Sequence, residues 1–258
     1  MKVAICIVGQ PRFVEELYPL FQKNVLKPNE KHQIDVFVHT WYSEEIINKP
    51  LYENVVSSFS GDACIREGVI DKINELYRPT RMSVDMPMKF SRDIKWGGDK
   101  DEILNAHKET TMTREEYKSM RIDMMYSLYY SILECIKLKK VHELEHGFTY
   151  DLVLRSRFDN IFRSPIDLSS FDGSFIWYQE MGQPHDMVSD WLNIGSSKNM
   201  DALGTIFGNL EALADDALKK YGTFTNESLI RSVCDRMEIQ TKCTQFGVGV
   251  PGWGKINL

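Results

Sequence analysis

The sequence predicts an α/β fold with a mostly parallel central sheet flanked by helices. Residues 2–8 (KVAICIV) and residues 34–39 (IDVFVH) form two nearly continuous apolar runs. Such runs are typical of strands that are buried on both faces. Between them, Val14 to Val25 carries apolar residues at helical spacing. Strand, helix and strand at this separation form a βαβ unit, the basic element of a parallel sheet.

The length of 258 residues suits one large α/β domain or two small ones. We expect a single domain over residues 1–258. Residues 44–77 have a mostly helical, half-buried pattern. Residues 78–121 are polar, contain prolines and a Gly-Gly pair, and have few periodic apolar positions. We expect this segment to be an irregular insertion that acts as a lid or acceptor-side loop, with a plain surface excursion as the alternative.

The second half of the chain alternates helices with strands. Asp123 is expected to cap a helix whose apolar stripe ends near Leu138. Apolar runs predict further strands at residues 150–156, 174–178, 192–196 and 238–243. Helical spacing predicts further helices over Lys198 to Phe207, Asn209 to Tyr221 and Glu227 to Met237.

Composition and charge exclude several classes of protein. The apolar share of 43% and charged share of 26% are ordinary for a soluble globular protein and argue against disorder. A net charge of −6 argues against nucleic acid as a partner, although a local basic pocket for a phosphorylated ligand is compatible with it. No stretch approaches the ~20 apolar residues of a transmembrane segment. We expect a cytoplasmic protein with at most peripheral membrane contact.

The five cysteines are widely spaced and odd in number, and no C-x-x-C motif occurs. Cys6 lies in an apolar strand pattern and Cys135 in a helical one. The spacing therefore favours buried free thiols in a reducing compartment over disulfides or a metal site.

Residues 142–146 (HELEH) match the H-E-x-x-H pattern of zinc proteases. That chemistry needs both histidines one turn apart on a buried helix face, with the glutamate polarising zinc-bound water. Here the motif follows the end of the apolar stripe, and Glu145 places a charge where such helices are usually apolar. Gly147 then ends the helix. We interpret HELEH as an exposed, polar helix end.

Polar residues also follow the strand predicted at residues 150–156. Ligands in open α/β sheets bind outside the carboxyl ends of the strands, which makes Arg155, Arg157 and Asp159 candidate functional residues. The alternative is a structural ion pair between the strand and a helix. The residues alone do not decide between the two interpretations.

Four segments in order resemble a group of bacterial and large-DNA-virus glycosyltransferases. They are MKVAICIVGQPRF, IDVFVHTW, YDLVLRSRFDNIF and DWLNIGSSKNMD. The resemblance spans residue 1 to about residue 240, with little contribution from residues 78–121. It implies a single GT-A type domain, which is related to the Rossmann arrangement. It also implies a nucleotide-diphosphate sugar donor and a glycan or lipid-linked acceptor.

In that fold a D-x-D motif at the end of a central strand holds Mn²⁺ or Mg²⁺ against the diphosphate. The resemblance places Asp159 at the last aspartate of the motif, as the metal ligand. Arg157 stands at the first aspartate, so this sequence reads R-F-D. Arg155 and Arg157 are therefore expected to supply part of the positive charge to the diphosphate, because guanidinium groups bind phosphate oxygens in pairs.

The resemblance assigns the loop after the first strand to the nucleotide-sugar. Gly9 is expected to let the backbone approach the nucleotide, Gln10 to bind the nucleotide-sugar, and Arg12 to contact a phosphate or the base. The alternative for Arg12 is a surface side chain after a turn. Thr40 and Trp41 are expected to line the pocket, with a core position for Trp41 as an equal alternative. Two weaker candidates are Tyr126 and Ser127.

Transfer with inversion needs a carboxylate base for the acceptor hydroxyl. Asp190 is the first candidate for this catalytic role and Glu227 the second. The alternative role of Glu227 is to complement the dipole of a helix N-terminus. His185 and Asp186 lie on an expected acceptor-side loop and are weaker candidates.

Taken together, these features predict a glycosyltransferase assisted by Mn²⁺ or Mg²⁺. The alternative is a non-catalytic relative of the same fold that binds a sugar-nucleotide or a glycan, because the first aspartate of the metal motif is missing. The sequence has no glycine-rich P-loop, which disfavours a sulfotransferase-like or nucleotidyl-transfer enzyme.

Overall fold

The computed structural model describes residues 1–48, 64–106, 112–182 and 187–249. Its strands are β1 (Lys2–Gly9), β2 (Gln33–Trp41), β3 (Arg81–Asp85), β4 (Leu152–Arg157), β5 (Ile161–Phe162), β6 (Ile176–Gln179), β7 (Asn193–Gly195), β8 (Thr241–Thr244) and β9 (Val248–Gly249). Its α-helices are α1 (Val14–Phe21), α2 (Val69–Tyr77), α3 (Asp99–Leu104), α4 (Arg114–His146), α5 (Ser197–Gly204), α6 (Ile206–Tyr221) and α7 (Asn226–Arg236).

The central sheet has seven strands in the order β3-β2-β1-β4-β7-β6-β8. β1, β2, β3 and β4 are parallel to their neighbours in this group, and β7 pairs antiparallel with β4 and β6. β5 and β9 form a separate two-stranded sheet. The predicted α/β fold with a mostly parallel, helix-flanked sheet is confirmed.

Strand β1 lies at the centre because its side chains are apolar on both faces. Val3, Ile5 and Ile7 belong to the core that α1 and α2 cover. Ala4, Cys6 and Val8 alternate with them and belong to the core beneath α4. A strand without a polar face must be covered on both sides, so β1 fixes a three-layer arrangement.

The chain leaves β1 toward β2 and β3 on one side and returns to β4 on the other. Connections from the two central strands therefore run in opposite directions. In open α/β sheets this arrangement opens a crevice at the carboxyl ends of the two strands, here β1 and β4.

Helix α4 is longer than predicted and begins earlier. Its N-cap is Thr113, whose side chain accepts from the Glu116 amide, while Glu116 accepts from the Thr113 amide in a capping box. The capping role predicted for Asp123 is wrong, and that carboxylate accepts from the amide and hydroxyl of Ser91 instead. The first turns of α4 bury few apolar side chains, so the apolar pattern in the sequence does not indicate where the helix begins.

Residues 78–121 are more regular than expected in their described part. Arg81–Asp85 forms β3, which pairs with β2 at the edge of the sheet, and Asp99–Leu104 forms α3. Trp96 and Leu104 are buried in the core beneath α4. The expected irregular structure is therefore wrong here, and the lid role stays a prediction. Of the helical region predicted at 44–77, α2 is confirmed, and residues 49–63 lie outside the described residues.

The remaining predicted elements are present with small shifts. Strands predicted at 174–178 and 192–196 correspond to β6 and β7, and β8 starts three residues later than predicted, after Glu238 with a left-handed φ of 54°. Cys6, Cys135 and Cys234 are buried thiols as predicted, whereas Cys243 is exposed. No helix among the described residues combines the length and apolar character needed to cross a membrane.

Candidate functional site

The candidate site lies at the carboxyl ends of β1 and β4, where Gly9 ends β1. Gly9 has a φ of +98°, a conformation that side chains rarely adopt. Its amide donates to Ser131 Oγ at 2.9 Å, and its carbonyl accepts from Thr40 Oγ1 at 2.8 Å. Both peptide groups are held, so the loop of Gln10 and Arg12 leaves the strand in a fixed direction.

Arg12 and Arg157 converge on one carboxylate, that of Asp159. Arg157 binds Asp159 in bidentate fashion, with Nε 2.8 Å from Oδ1 and Nη2 2.7 Å from Oδ2. Arg12 Nη2 reaches the same Oδ2 at 2.7 Å. Arg12 and Asp159 are 8% and 3% exposed. The ion pairs join the end of β4 to the loop after β1, and not to a helix as in the alternative considered from the sequence.

Asp159 is ionised in this cluster. Burial by itself raises the pKa of the carboxyl, but the guanidinium groups of Arg157 and Arg12 outweigh burial and hold the pKa below its ordinary value. Two guanidinium groups share the one carboxylate of Asp159. The cluster therefore suits an anion.

The cluster does not fit Mn²⁺ or Mg²⁺. Both carboxylate oxygens of Asp159 already accept from guanidinium groups. A cation at Asp159 would lie beside two guanidinium groups, which repel it. Among the described residues, no group of three metal-ligating side chains forms at this end of the sheet. Metal binding by Asp159 stays a prediction that this arrangement disfavours.

Arg155 lies deeper in the same strand and faces the core beneath α4. Its Nε donates to Asn193 Oδ1 at 3.1 Å, and its Nη2 donates to the Asp190 carbonyl at 2.6 Å. Burial is the main reason why the pKa of Arg155 falls to about 10. Arg155 thus anchors the segment that carries Asp190. The phosphate contact predicted for Arg155 stays a prediction, although its side chain does not reach the edge here.

The two predicted catalytic carboxylates, Asp190 and Glu227, are brought together by β7 and the start of α7. Asn226 Nδ2 donates to Asp190 Oδ2 at 3.1 Å, and the Val188 amide donates to the Glu227 carbonyl at 3.3 Å. Burial and the negative charge of Asp190 raise the pKa of Glu227. Tyr129 on α4 also holds the start of α7, since its hydroxyl donates to the Asn226 carbonyl at 2.8 Å.

A raised pKa makes Glu227 a stronger base than an ordinary carboxylate. Burial and the neighbouring charge of Asp190 both disfavour the ionised form of Glu227, which increases its affinity for a proton. This pair can therefore accept a proton from a hydroxyl group. Both carboxylates were predicted as alternatives, and the structure places them in one site.

Strands β2 and β3 end in a buried polar network that the sequence did not predict. His39 Nδ1 lies 2.7 Å from Ser131 Oγ, and His39 Nε2 lies 3.2 Å from Asp85 Oδ2. The Tyr130 hydroxyl donates to the same Asp85 oxygen at 2.9 Å. Ser131 and His39 are fully buried, so a substrate does not reach this serine–histidine–aspartate arrangement. The network instead fixes Gly9 through Ser131.

The other residues predicted to contact the nucleotide differ in their burial and in their partners. Thr40 holds the Gly9 carbonyl, and Trp41 is 3% exposed and packs against the rings of His39 and Tyr130, as in the core alternative. Gln10 is half-buried beside Arg12. Tyr126 packs against core aromatic rings, and Ser127 is half-buried on α4. His185 and Asp186 lie outside the described residues.

A separate cleft of about 540 Å³ lies between α3 and α6. Its lining includes Lys100, Asp99 and Asp215, and Lys100 is paired with Glu211 and Asp215. The cleft shares no residue with the arginine cluster or the carboxylate pair. We place the candidate site at the sheet edge because the polar groups converge there.

The sequence matches no protein-family model, and a search of curated proteins gives no significant match. The function is therefore inferred from the geometry of the site and from the resemblance of the four segments.

Proposed function

We propose that the protein is a glycosyltransferase that moves a sugar from a nucleotide-diphosphate donor to a hydroxyl group of a glycan or lipid-linked acceptor. The observation that carries the proposal is the convergence of Arg12 and Arg157 on Asp159 at the carboxyl ends of β1 and β4. The Asp190–Glu227 pair supplies the second half of the chemistry. The buried thiols suit a reducing compartment, which agrees with a cytoplasmic location.

The diphosphate lies against Arg12 and Arg157 in this proposal. Asp159 holds both guanidinium groups in place, and guanidinium groups bind phosphate oxygens through charge-assisted hydrogen bonds. Gly9 has no neighbouring atom within 4 Å of its missing Cβ, which lets a ligand approach the backbone. Fixed guanidinium groups stabilise the charge that develops on the leaving diphosphate. They take the place that Mn²⁺ or Mg²⁺ has in metal-dependent relatives.

Glu227, supported by Asp190, acts as the base. In a direct displacement the acceptor hydroxyl gives its proton to Glu227, and its oxygen forms a bond to the anomeric carbon. The bond between that carbon and the diphosphate oxygen breaks, and the electron pair leaves with the nucleoside diphosphate. Removing such a base typically costs about 10²–10⁴-fold in rate.

The first test is calorimetric titration of UDP- and GDP-sugars, with and without Mn²⁺. We expect at least one donor to bind, with an affinity that does not depend on Mn²⁺. The proposal fails if folded protein binds no member of the panel. A Glu227→Gln variant is expected to keep donor affinity and lose turnover, while a Glu211→Gln control on an exposed face of α6 keeps both.

The second candidate is a non-catalytic relative that binds a sugar-nucleotide or a glycan. The ion-paired oxygens of Asp159 favour it, because no ligand atom is left for a catalytic metal. Slow release of free sugar from the donor without acceptor separates the two. An active transferase releases sugar and a binding protein does not.

A further inference from the structure

The last turn of α4 carries a cluster that the proposed transfer does not use. His142, Glu145 and His146 each offer one ligand atom, and these atoms lie within 4.8 Å of one another. Positions i, i+3 and i+4 share one face of a helix. His142 packs against Tyr150, which precedes β4, so the cluster lies toward the amino ends of the strands. It is therefore separate from the candidate site.

The two imidazole rings lie close together on α4. Their centroids are 4.1 Å apart with 34° between the planes. His146 Nδ1 lies 2.9 Å from the carbonyl oxygen of His142. Because a carbonyl only accepts, Nδ1 is the donor, and in the neutral ring Nε2 is then the nitrogen that can bind a metal ion. A hydrogen bond from the other ring nitrogen to a carbonyl is the usual support of a metal-binding histidine.

Glu143 takes no part in this cluster, although it stands where a zinc protease has its glutamate. Its carboxylate accepts from the Tyr150 amide at 2.9 Å, Ser197 Oγ at 2.7 Å and Lys139 Nζ at 3.0 Å. These contacts fasten α4 to the start of β4 and to α5. The third ligand is instead Glu145, on the exposed side of the helix.

Glu145 has a competing partner, Arg81 at the start of β3. Their side chains are 48% and 33% exposed, and ion pairs in such positions contribute little to stability. A divalent ion that gains two imidazole nitrogens can displace Arg81. The competition weakens binding without preventing it.

We propose that His142, Glu145 and His146 form a surface site for a transition-metal ion of the zinc, nickel or copper class. Imidazole nitrogen suits these ions, whereas Mg²⁺ and Ca²⁺ prefer oxygen ligands. Three protein ligands leave a fourth tetrahedral position for water or for a donor from another molecule.

The test is calorimetric titration of the full-length protein with Zn²⁺ alone. We expect saturable one-to-one binding, and a loss of at least about tenfold in affinity for His146→Ala. Arg81→Gln is expected to tighten binding because it releases Glu145. Cys243→Ser is the matched control for an exposed thiol elsewhere, and it is expected to bind like the parent protein.

Three results would overturn the proposal. They are a parent protein without saturable Zn²⁺ binding, a His146→Ala variant with unchanged affinity, and loss of binding in Cys243→Ser. Thermal unfolding adds a second readout, since Zn²⁺ should raise the melting temperature of the parent protein more than that of His146→Ala at the same Zn²⁺ concentration. His146 is exposed at a helix end, so its replacement leaves the fold intact.

Discussion

Arg12 and Asp159 form a buried ion pair, with 2.7 Å between Nη2 and Oδ2, that joins the loop after β1 to the end of β4. Arg157 binds the same carboxylate from its own strand. The ends of the two central strands are thus held together by charge rather than by apolar contacts.

Removing the charge of Asp159 should destabilise the protein. In Asp159→Asn the two guanidinium groups lose their buried counter-ion, which typically costs about 3 kcal/mol. Urea unfolding at pH 7 measures the change. Glu75→Gln, which removes an exposed partner of Lys72, is the control and should unfold like the parent protein. Equal midpoints for Asp159→Asn and the parent would contradict the role of the pair.

The same carboxylate makes stability depend on pH. The pKa of Asp159 is lowered in the folded state, so its contribution is fully present above the unfolded pKa of about 3.9 and is lost as the pH falls through the lower folded pKa. Asp159→Asn should therefore lose less stability than the parent protein in that acidic range. Unfolding curves measured from pH 7 downward test the sign, and parallel losses would argue against it.

Replacing the guanidinium of Arg12 should weaken nucleotide binding. Arg12→Lys keeps the charge but loses the paired donors, and we expect about a tenfold loss of affinity for a nucleoside diphosphate. Calorimetry with UDP and GDP measures it. Arg236→Lys, which alters an exposed pair with Asp216, is the matched control. Unchanged affinity in Arg12→Lys would show that the diphosphate does not bind at the arginine cluster.

The carboxylate pair should set the acidic limb of the pH–rate profile. Glu227 must be ionised to act as a base, and the charge of Asp190 contributes to its raised pKa. In Asp190→Asn the pKa of Glu227 falls, so the acidic limb of kcat/KM should move to lower pH. Asp215→Asn, which removes an exposed carboxylate beside Lys100, should leave the profile in place. An acidic limb at the same pH in Asp190→Asn and in the parent protein would show that the charge of Asp190 does not raise the pKa of the catalytic base.

The backbone of Gly9 should tolerate no side chain. At a φ of +98°, Gly9→Ala introduces strain on the order of 1–3 kcal/mol and displaces the loop that carries Arg12. Thermal unfolding and nucleotide titration should both show losses. Gly208→Ala on α6 has no positive φ and no crowding, so it should be neutral or stabilising. Equally small losses of stability and nucleotide affinity in Gly9→Ala and Gly208→Ala would show that the left-handed backbone of Gly9 has no special role.

The sequence predicts the central strands because an apolar run such as residues 3–8 admits only burial on both faces. It does not predict β3, because an edge strand needs no continuous apolar run and residues 81–85 are half polar. The start of α4 was missed for a similar reason. Its signal is the capping box at Thr113 rather than the apolar stripe that follows.

The sequence predicts which residues form the candidate site, but it does not predict which of them contact each other. Arg155 and Arg157 share a strand face, yet only their depth under α4 decides that Arg155 is buried and Arg157 lies at the edge. The partnership of Arg12 with Asp159 depends on the neighbouring positions of β1 and β4, which local sequence does not determine. Asp190 meets Glu227 only because β7 returns antiparallel to β4.

The proposed site also has an order along the chain. It takes Gly9 from the first strand, Arg12 from the loop that follows, Asp159 from the middle of the chain and Glu227 from α7. The residues proposed to hold the diphosphate are therefore synthesised before the residue proposed as the base.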